Sequence, residues 1–209
     1  MMIPGLTVSH GTWSELSIRH SRFISCAFHI ENNTQFTEIL QQVVNTWPKA
    51  SHYAWAYVLT TGQERMSDDG EPQGTAGIPT LFLIQKRHLV YTAIVTVRYF
   101  GGTKLGSGGL VRAYRQACEN ALSHAQFGRQ VDIVEATVTL PYSSWQQTHN
   151  FLVNKNISFT PVFLHHVEIH CEVPEDDWPT FCDALQTTLA PDASIVESHP
   201  ATAISPWVP

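Results

Sequence analysis

Apolar and polar positions follow two different periods along this chain, and each period predicts one type of secondary structure. Apolar residues spaced three and four positions apart predict amphipathic helices at 33–47, 80–86 and 110–125. Runs rich in β-branched and aromatic residues predict strands at 22–30, 52–60 and 90–99. The first half of the chain is therefore expected to form one α+β domain over 21–128.

The second half contains a regular succession of elements. Its pattern predicts a strand, a helix, two strands, a helix and a last strand, at 134–140, 143–155, 157–163, 165–173, 175–189 and 194–197. This β-α-β-β-α-β order is typical of a ferredoxin-like domain, here over 131–200. Gly128 is predicted to end the preceding helix, residues 1–20 to form a loosely held lead-in, and residues 201–209 to form a tail.

The composition is typical of a globular chain inside the cell. Of 209 residues, 43% are hydrophobic, and no apolar run approaches the ~20 residues of a membrane span. The beginning, M-M-I-P-G-L-T-V-S-H, lacks the basic and apolar regions of a signal peptide. Four scattered cysteines without C-x-x-C spacing favour a reduced cytoplasmic protein over a disulfide framework or a zinc site.

Charge is distributed unevenly between the two halves. The net charge of −6 argues by itself against a general nucleic-acid binder. Residues 1–129, however, hold 11 Lys and Arg against 8 Asp and Glu, whereas residues 130–209 hold 1 against 10. A positive surface on the first half would meet an anionic partner that the second half repels.

The densest chemical signal lies at 98–115, which reads R-Y-F-G-G-T-K-L-G-S-G-G-L-V-R-A-Y-R. Between a strand pattern and a helix pattern stand five glycines: Gly101, Gly102, Gly106, Gly108 and Gly109. The only charged residues are cations: Arg98, Lys104, Arg112 and Arg115. A glycine-rich turn into a helix presents free backbone N–H groups, which suit a phosphate or carboxylate. The spacing matches neither a P-loop nor a dinucleotide fingerprint, and a sharp turn alone would require one or two glycines.

A second loop spans 67–79, S-D-D-G-E-P-Q-G-T-A-G-I-P. Asp68, Asp69 and Glu71 offer oxygen ligands of the kind that Mg²⁺ prefers, which would suit a metal-dependent hydrolase or transferase acting on a phosphorylated small molecule. In the structural alternative, the aspartates cap turns and Glu71 pairs with a nearby arginine. We favour the structural interpretation, so the sequence predicts no cofactor and no metal site, favours a protein that is not an enzyme, and identifies no catalytic residue.

Two blocks, 67–79 and 97–114, resemble the paired signatures of the IMPACT family, as found in its bacterial YigZ-like members. Residues 21–23, S-R-F, resemble a shorter motif of that family, and His52 resembles its strand histidine. The likeness covers about residues 21–125 at the level of motifs. The second half resembles the family only in the order of its elements.

The resemblance implies a two-domain α+β protein. Its first domain would be like the second domain of ribosomal protein S5, and its ferredoxin-like second domain would be like the last domain of elongation factor G. Both folds recur in proteins that touch RNA, and eukaryotic relatives regulate translation by competing for a ribosome-associated activator of an initiation-factor kinase. Ala54 stands where the family often carries a cysteine, which speaks against thiol chemistry beside His52.

The first functional hypothesis is a non-enzymatic RNA- or ribosome-associated protein that regulates translation. The cations expected to contact phosphates, together with the glycines, are Arg98, Lys104 and Arg112. Tyr99 or Phe100 would stack on bases, while one of the two is expected to pack at the strand end. His52 and loop 67–79 form the second part of the predicted site. The alternatives are the hydrolase or transferase described above and a protein-interaction module whose acidic half binds a basic partner.

Overall fold

The computed structural model describes residues 5–60 and 62–206, which form two compact units. Residues up to Arg129, together with those from Ile204 onward, belong to the first unit, and Gln130–Ala203 form the second. Each unit has its own buried apolar core. Independent cores of this kind are expected for domains of about 100 residues.

The main sheet of the first unit has five antiparallel strands in the order β2-β3-β6-β4-β5. The strands are β2 (Ser14–Ile18), β3 (Ser21–His29), β4 (His52–Val58), β5 (Glu64–Ser67) and β6 (Thr92–Tyr99). A further strand, β1 (Leu6–His10), pairs with the beginning of β7 (Gln126–Leu140). The central strand β6 is buried along nearly its whole length, because helices cover both faces of the sheet.

Three helices cover this sheet: α1 (Asn33–Thr46), α2 (Gly77–Lys86) and α3 (Ser107–Ser123). Phe36 of α1 packs with Val95 on one face. On the other face, Ile94 joins the apolar cluster of α2 and α3, and Tyr114 of α3 lies nearby. Since side chains alternate along a strand, Arg98 falls on the same face as Ile94. This α+β unit has the ribosomal protein S5 domain 2-like fold.

The second unit has the β-α-β-β-α-β order that the sequence predicts. It contains β7, α4 (Tyr142–Asn154), β8 (Ser158–Phe163), β9 (Val167–Pro174), α5 (Trp178–Ala184) and β10 (Ser194–Pro206). Strand β7 pairs with β9 and β10, and β9 pairs with β8, which gives the ferredoxin-like order β10-β7-β9-β8. Leu152 of α4 and Phe181 of α5 are buried against one face of this sheet. The predicted fold class is confirmed.

Several predicted boundaries are wrong. The expected lead-in at 1–20 contains the strands β1 and β2, and the expected tail at 201–209 contains the end of β10, which runs to Pro206. Gly128 does not end a helix but lies inside β7. A Cβ at Gly128 would lie 2.3 Å from Ile204 Cγ2, so the close approach of β10 requires glycine there.

Other elements differ in detail from the sequence expectation. The short exposed strand β5 was not predicted. The helix expected at 175–189 consists of a 3₁₀ turn at Glu175–Asp177, the helix α5 and a π turn at Leu185–Leu189. In the part of the chain that the structure describes, no helix is both long enough and apolar enough to cross a membrane.

Candidate functional site

The glycine-rich segment 101–109 leads from β6 into the N-terminus of α3. Gly106, which precedes the helix, has a φ of 72° and offers no side-chain cap, and the first turn contains no acidic residue. Gly102 also has a positive φ, 83°, a conformation that L side chains rarely adopt. The first N–H groups of α3 are therefore left without a side-chain cap, where the helix dipole is positive.

The outer side of this segment is open. Apart from its own chain neighbours, a Cβ added at Gly102, Gly106 or Gly108 would meet no atom of the described residues within 4 Å, and all three glycines are exposed. At Gly101, by contrast, a Cβ would lie 2.0 Å from the carbonyl carbon of His20. Gly101 thus permits two backbones to approach closely, whereas the other three glycines leave room for a ligand.

Two cations stand near this opening in the sequence, Lys104 before Gly106 and Arg112 in the second turn of α3. Lys104 and Arg112 are exposed, and neither forms a salt bridge with any residue that the structure describes. Arg115, one turn further along α3, instead pairs with Glu119 at an Nε–Oε1 distance of 3.0 Å. An uncapped helix N-terminus beside two cations that have no acidic partner among the described residues is suited to bind a phosphate or carboxylate group.

Arg98 is placed differently from the other predicted phosphate contacts, because its side chain is buried. The residue is 4% exposed, and its Nη1 donates a hydrogen bond to Glu71 Oε1 at 2.6 Å. Its Nη2 donates to Ser21 Oγ at 3.3 Å, and the guanidinium lies 5.3 Å from the centre of the Phe23 ring. Arg98 therefore belongs to the support of the glycine-rich segment and not to its exposed surface.

Glu71 is the centre of this support. Its side chain is 2% exposed, and Oε1 also accepts a hydrogen bond from the Tyr114 hydroxyl at 2.8 Å. Burial and the neighbouring Glu71 carboxylate raise the pKa of Tyr114, which keeps its hydroxyl a donor. Ser21 Oγ additionally accepts the N–H of Gly101 at 3.1 Å. The buried carboxylate thus connects loop 67–79 with β6 before the glycine-rich segment and with α3 after it.

Asp68 shapes loop 67–79. Its Oδ2 accepts the N–H of Gly74 at 2.7 Å, and its Oδ1 accepts those of Ala76 and Gly77 at 2.9 and 2.8 Å. Burial raises the pKa of Asp68, but these three hydrogen bonds outweigh it, so the pKa lies below its usual value. Asp68 thereby organises the turn from which α2 begins.

Replacing Asp68 with asparagine is expected to lower the free energy of unfolding by about 1–3 kcal/mol at neutral pH, because three hydrogen bonds lose their charged acceptor. A lowered pKa in the folded state stabilises the protein above the unfolded pKa of about 3.9, and this stabilisation is lost as pH falls through the folded pKa. Urea denaturation from neutral to acid pH measures the effect, with the exposed Glu38→Gln as control. If the free energies of unfolding of wild type and variant differ as much at acid pH as at neutral pH, the stabilising role of the ionised Asp68 is contradicted.

Asp69 and His52 meet at the edge of the same loop. Asp69 Oδ2 accepts the N–H of Tyr53 at 2.6 Å, and the Asp69 carbonyl lies 2.7 Å from His52 Nδ1. Among the described residues, no group of three or more His, Cys, Asp or Glu side chains could hold a metal ion. The oxygens of Asp68, Asp69 and Glu71 do not converge on one point but accept hydrogen bonds within the fold, as the structural interpretation expects.

The two aromatic residues at the end of β6 have different environments. Tyr99 packs with the cluster on the α1 face, and its hydroxyl donates to the Pro48 carbonyl at 3.0 Å. Phe100 is 48% exposed, and its N–H donates to Ser51 Oγ at 3.0 Å. One ring is therefore packed and one is available, so only Phe100 can offer a surface to a ligand.

Sequence reasoning missed two residues of the support. Ser21 was noted only as part of the S-R-F motif, although its hydroxyl joins Arg98 to Gly101. Tyr114 lies on the apolar face of the helix predicted at 110–125, and the spacing of that face does not indicate a hydrogen bond. A tyrosine within such a stripe is a usable signal, because a buried hydroxyl needs a hydrogen-bond partner.

The buried thiols offer no nucleophile to this site. Burial raises the pKa of Cys118, whose Sγ lies 3.4 Å from the Thr80 hydroxyl and 3.6 Å from that of Thr96. Burial also raises the pKa of Cys26 to about 12. Thiols with raised pKa values are poor nucleophiles at neutral pH, because the thiolate is the reactive form.

Comparison with known proteins gives a consistent result for the first unit. The Impact N-terminal domain family matches residues 19–122. IMPACT family member YvyE of Bacillus subtilis (strain 168) is 39% identical over 120 residues, which cover 56% of this chain and 55% of the relative. IMPACT family member YigZ of Escherichia coli (strain K12) is 35% identical over 129 residues, which cover 60% and 63%.

A third relative covers more of both chains. The IMPACT family member in the pol 5′ region of Thermus thermophilus is 34% identical over 147 residues, which cover 70% of this chain and 80% of the relative. With YvyE, by contrast, the match spans little more than half of the relative's length. A solved crystal structure of a hypothetical protein aligns with a TM-score of 0.62 and 26% identity, over 93% of this chain and 97% of that chain.

Proposed function

Because the chain belongs to the IMPACT family, we propose that it is a non-enzymatic protein of the translation machinery that binds RNA phosphates through segment 101–109. The observation that carries this proposal is the open, uncapped N-terminus of α3, near which Lys104 and Arg112 are exposed and form no salt bridge with a residue that the structure describes. Helix N-termini of this kind bind phosphate through backbone N–H groups and the helix dipole. If the partner is the ribosome, the protein acts in the cytoplasm.

Phe100 makes RNA a better candidate than a free phosphate compound. The half-exposed ring directly precedes the glycine-rich segment, and its backbone is fixed by the hydrogen bond to Ser51. Stacking of a base on such a ring contributes about 1–3 kcal/mol and needs an unpaired base. A single strand with one base on Phe100 and a phosphate at the N-terminus of α3 would use both features.

The affinity for single-stranded RNA is expected to fall with added salt, because each neutralised phosphate releases counterions. Two contacts, from Lys104 and Arg112, predict a slope of log K against log salt of about −1.4, from about −0.7 for each contact on a single strand. Fluorescence anisotropy over a range of KCl concentrations measures this slope. Binding that does not depend on salt would contradict a phosphate site.

The hydrolase or transferase alternative receives less support from the side chains. Glu71 is committed to Arg98 and Tyr114, and Asp68 to three backbone N–H groups. A panel of phosphorylated compounds with Mg²⁺ or Mn²⁺ tests it, because activity that disappears in Glu71→Gln protein would favour catalysis. Under our proposal, no compound in the panel is turned over.

A protein-interaction role is a second candidate, favoured by the charge of the second unit. Residues 130–209 contain 10 acids and a single Lys or Arg, and one face of the sheet exposes Glu172 and Glu197. Such a surface repels RNA and would attract a basic protein. A partner bound there would remain bound when Lys104 and Arg112 are both replaced by glutamate, whereas RNA would not.

A further inference from the structure

His52 has a defined tautomer. Its Nδ1 lies 2.7 Å from the carbonyl oxygen of Asp69, which can only accept a hydrogen bond, so the proton must be on Nδ1. In the neutral imidazole, Nε2 then carries a lone pair. The backbone of loop 67–79 thus leaves an acceptor at the free end of the ring.

This acceptor faces a second one. His52 Nε2 lies 3.9 Å from Glu71 Oε2, which is too long for a hydrogen bond. Within the described residues, neither atom has another hydrogen-bond partner, since Arg98 and Tyr114 both use Glu71 Oε1. Two facing acceptors without a proton between them repel each other. Because the Glu71 side chain is only 2% exposed, His52 Nε2 is the acceptor that an outside donor can reach.

The pair lies on the same face of the sheet as the proposed base platform. His52 stands opposite Arg98 in the register of β4 and β6, and Phe100 follows two residues later on that face. The guanidinium of Arg98 lies 5.5 Å from the centre of the Phe100 ring. About a quarter of the His52 side chain is exposed, 24%, so its ring is open to a ligand from solvent.

We propose that His52 Nε2 accepts the single hydrogen bond that a ribose 2′-hydroxyl can donate, which makes the site selective for RNA over DNA. This inference rests on the proposed function, since the neighbouring base and phosphate must lie on Phe100 and the α3 N-terminus. The 2′-hydroxyl is the donor that distinguishes RNA from DNA in this position. Glu71 holds the support through Oε1 and offers His52 Nε2 no donor, so that this acceptor stays free for a ligand.

The test compares three single-stranded oligonucleotides of about twelve uridines that carry 2′-hydroxyl, 2′-deoxy or 2′-O-methyl sugars. The expected result is that the full chain binds the hydroxyl form about tenfold more tightly than the other two, as one hydrogen bond predicts. The 2′-O-methyl strand keeps an RNA-like sugar but cannot donate, so it separates hydrogen bonding from sugar shape.

The variants locate the selectivity. His52→Phe is expected to lower the affinity for the 2′-hydroxyl strand only, so that all three strands then bind about equally. His52→Gln, whose amide oxygen can accept a hydrogen bond near the position of Nε2, should keep part of the preference for the 2′-hydroxyl strand. His124→Phe, at an exposed histidine beyond the C-terminus of α3, should change nothing.

The outcomes that overturn this inference differ from those that overturn the proposed function. Equal affinity for all three strands in wild-type protein, or an unchanged preference in His52→Phe, overturns the 2′-hydroxyl assignment and leaves RNA binding intact. Absence of binding to every strand overturns both proposals.

Discussion

Replacing Arg98 with methionine is expected to lower the free energy of unfolding of the first unit by about 3–5 kcal/mol. The change leaves Glu71 buried and without its charged partner, and a buried charge without a partner is one of the most costly defects in a folded protein. It also removes the donor to Ser21, whose hydroxyl fixes Gly101. The variant should therefore loosen the glycine-rich segment as well.

Hydrogen exchange in urea measures this effect, because it reports the buried amides of β6 separately from those of the second unit. The control is Arg22→Met, which breaks the exposed pair of Arg22 with Glu15 and should leave the exchange of these amides unchanged. A loss in Arg98→Met no greater than that of this control would contradict the structural importance of the buried pair.

The double replacement of Glu71 by leucine and Arg98 by methionine should recover part of the lost stability, because apolar pairs often substitute for a buried ion pair. The double variant should then be more stable than Arg98→Met but should still bind RNA weakly. The hydrogen bonds of Arg98 to Ser21 and of Tyr114 to Glu71 would both be missing. Anisotropy with the uridine strands tests this separation of stability from binding.

The variant Lys104→Glu/Arg112→Glu is expected to weaken binding of single-stranded RNA by about a hundredfold or more. Each charge-assisted contact to phosphate is worth about 1.5–3 kcal/mol, and the new carboxylates also repel the strand. Both side chains are exposed, so the fold should not change. Anisotropy at low salt measures the loss.

The matched control is Arg65→Glu/Lys86→Glu, which changes the net charge equally at two exposed positions outside the glycine-rich segment. This control should keep most of the affinity, because general electrostatic attraction is only part of the binding. If both double variants lose affinity equally, net charge and not segment 101–109 determines RNA binding.

The parts of the fold that were predicted correctly are those with strong periodicity. The stripe of α1 and the β-branched run of β6 each bury apolar residues at fixed spacing, which the sequence displays directly. Strand β2 was missed because it is a half-exposed strand at the sheet edge and lacks a continuous apolar run. The end of β10 was missed for a different reason: β10 pairs with β7, which lies far away in the sequence, and no local pattern reports this pairing.

The candidate site could be predicted only in part. The density of glycines drew attention to segment 101–109, because a sharp turn alone needs fewer glycines than this segment contains. The burial of Arg98 depends on Glu71, which is 27 positions away in sequence, and no local pattern encodes this contact. The acceptor pair of His52 and Glu71 likewise arises from the packing of loop 67–79 beside β4, which periodicity does not report.

Co-sedimentation with ribosomes on a sucrose gradient, at low and at raised salt, tests the proposed role in translation most directly. The predicted result is that wild-type protein travels with the ribosomes at low salt and is released at raised salt. Lys104→Glu/Arg112→Glu should stay at the top of the gradient in both conditions. Wild-type protein that stays at the top in every condition, or a double variant that sediments like wild type, would contradict the proposal.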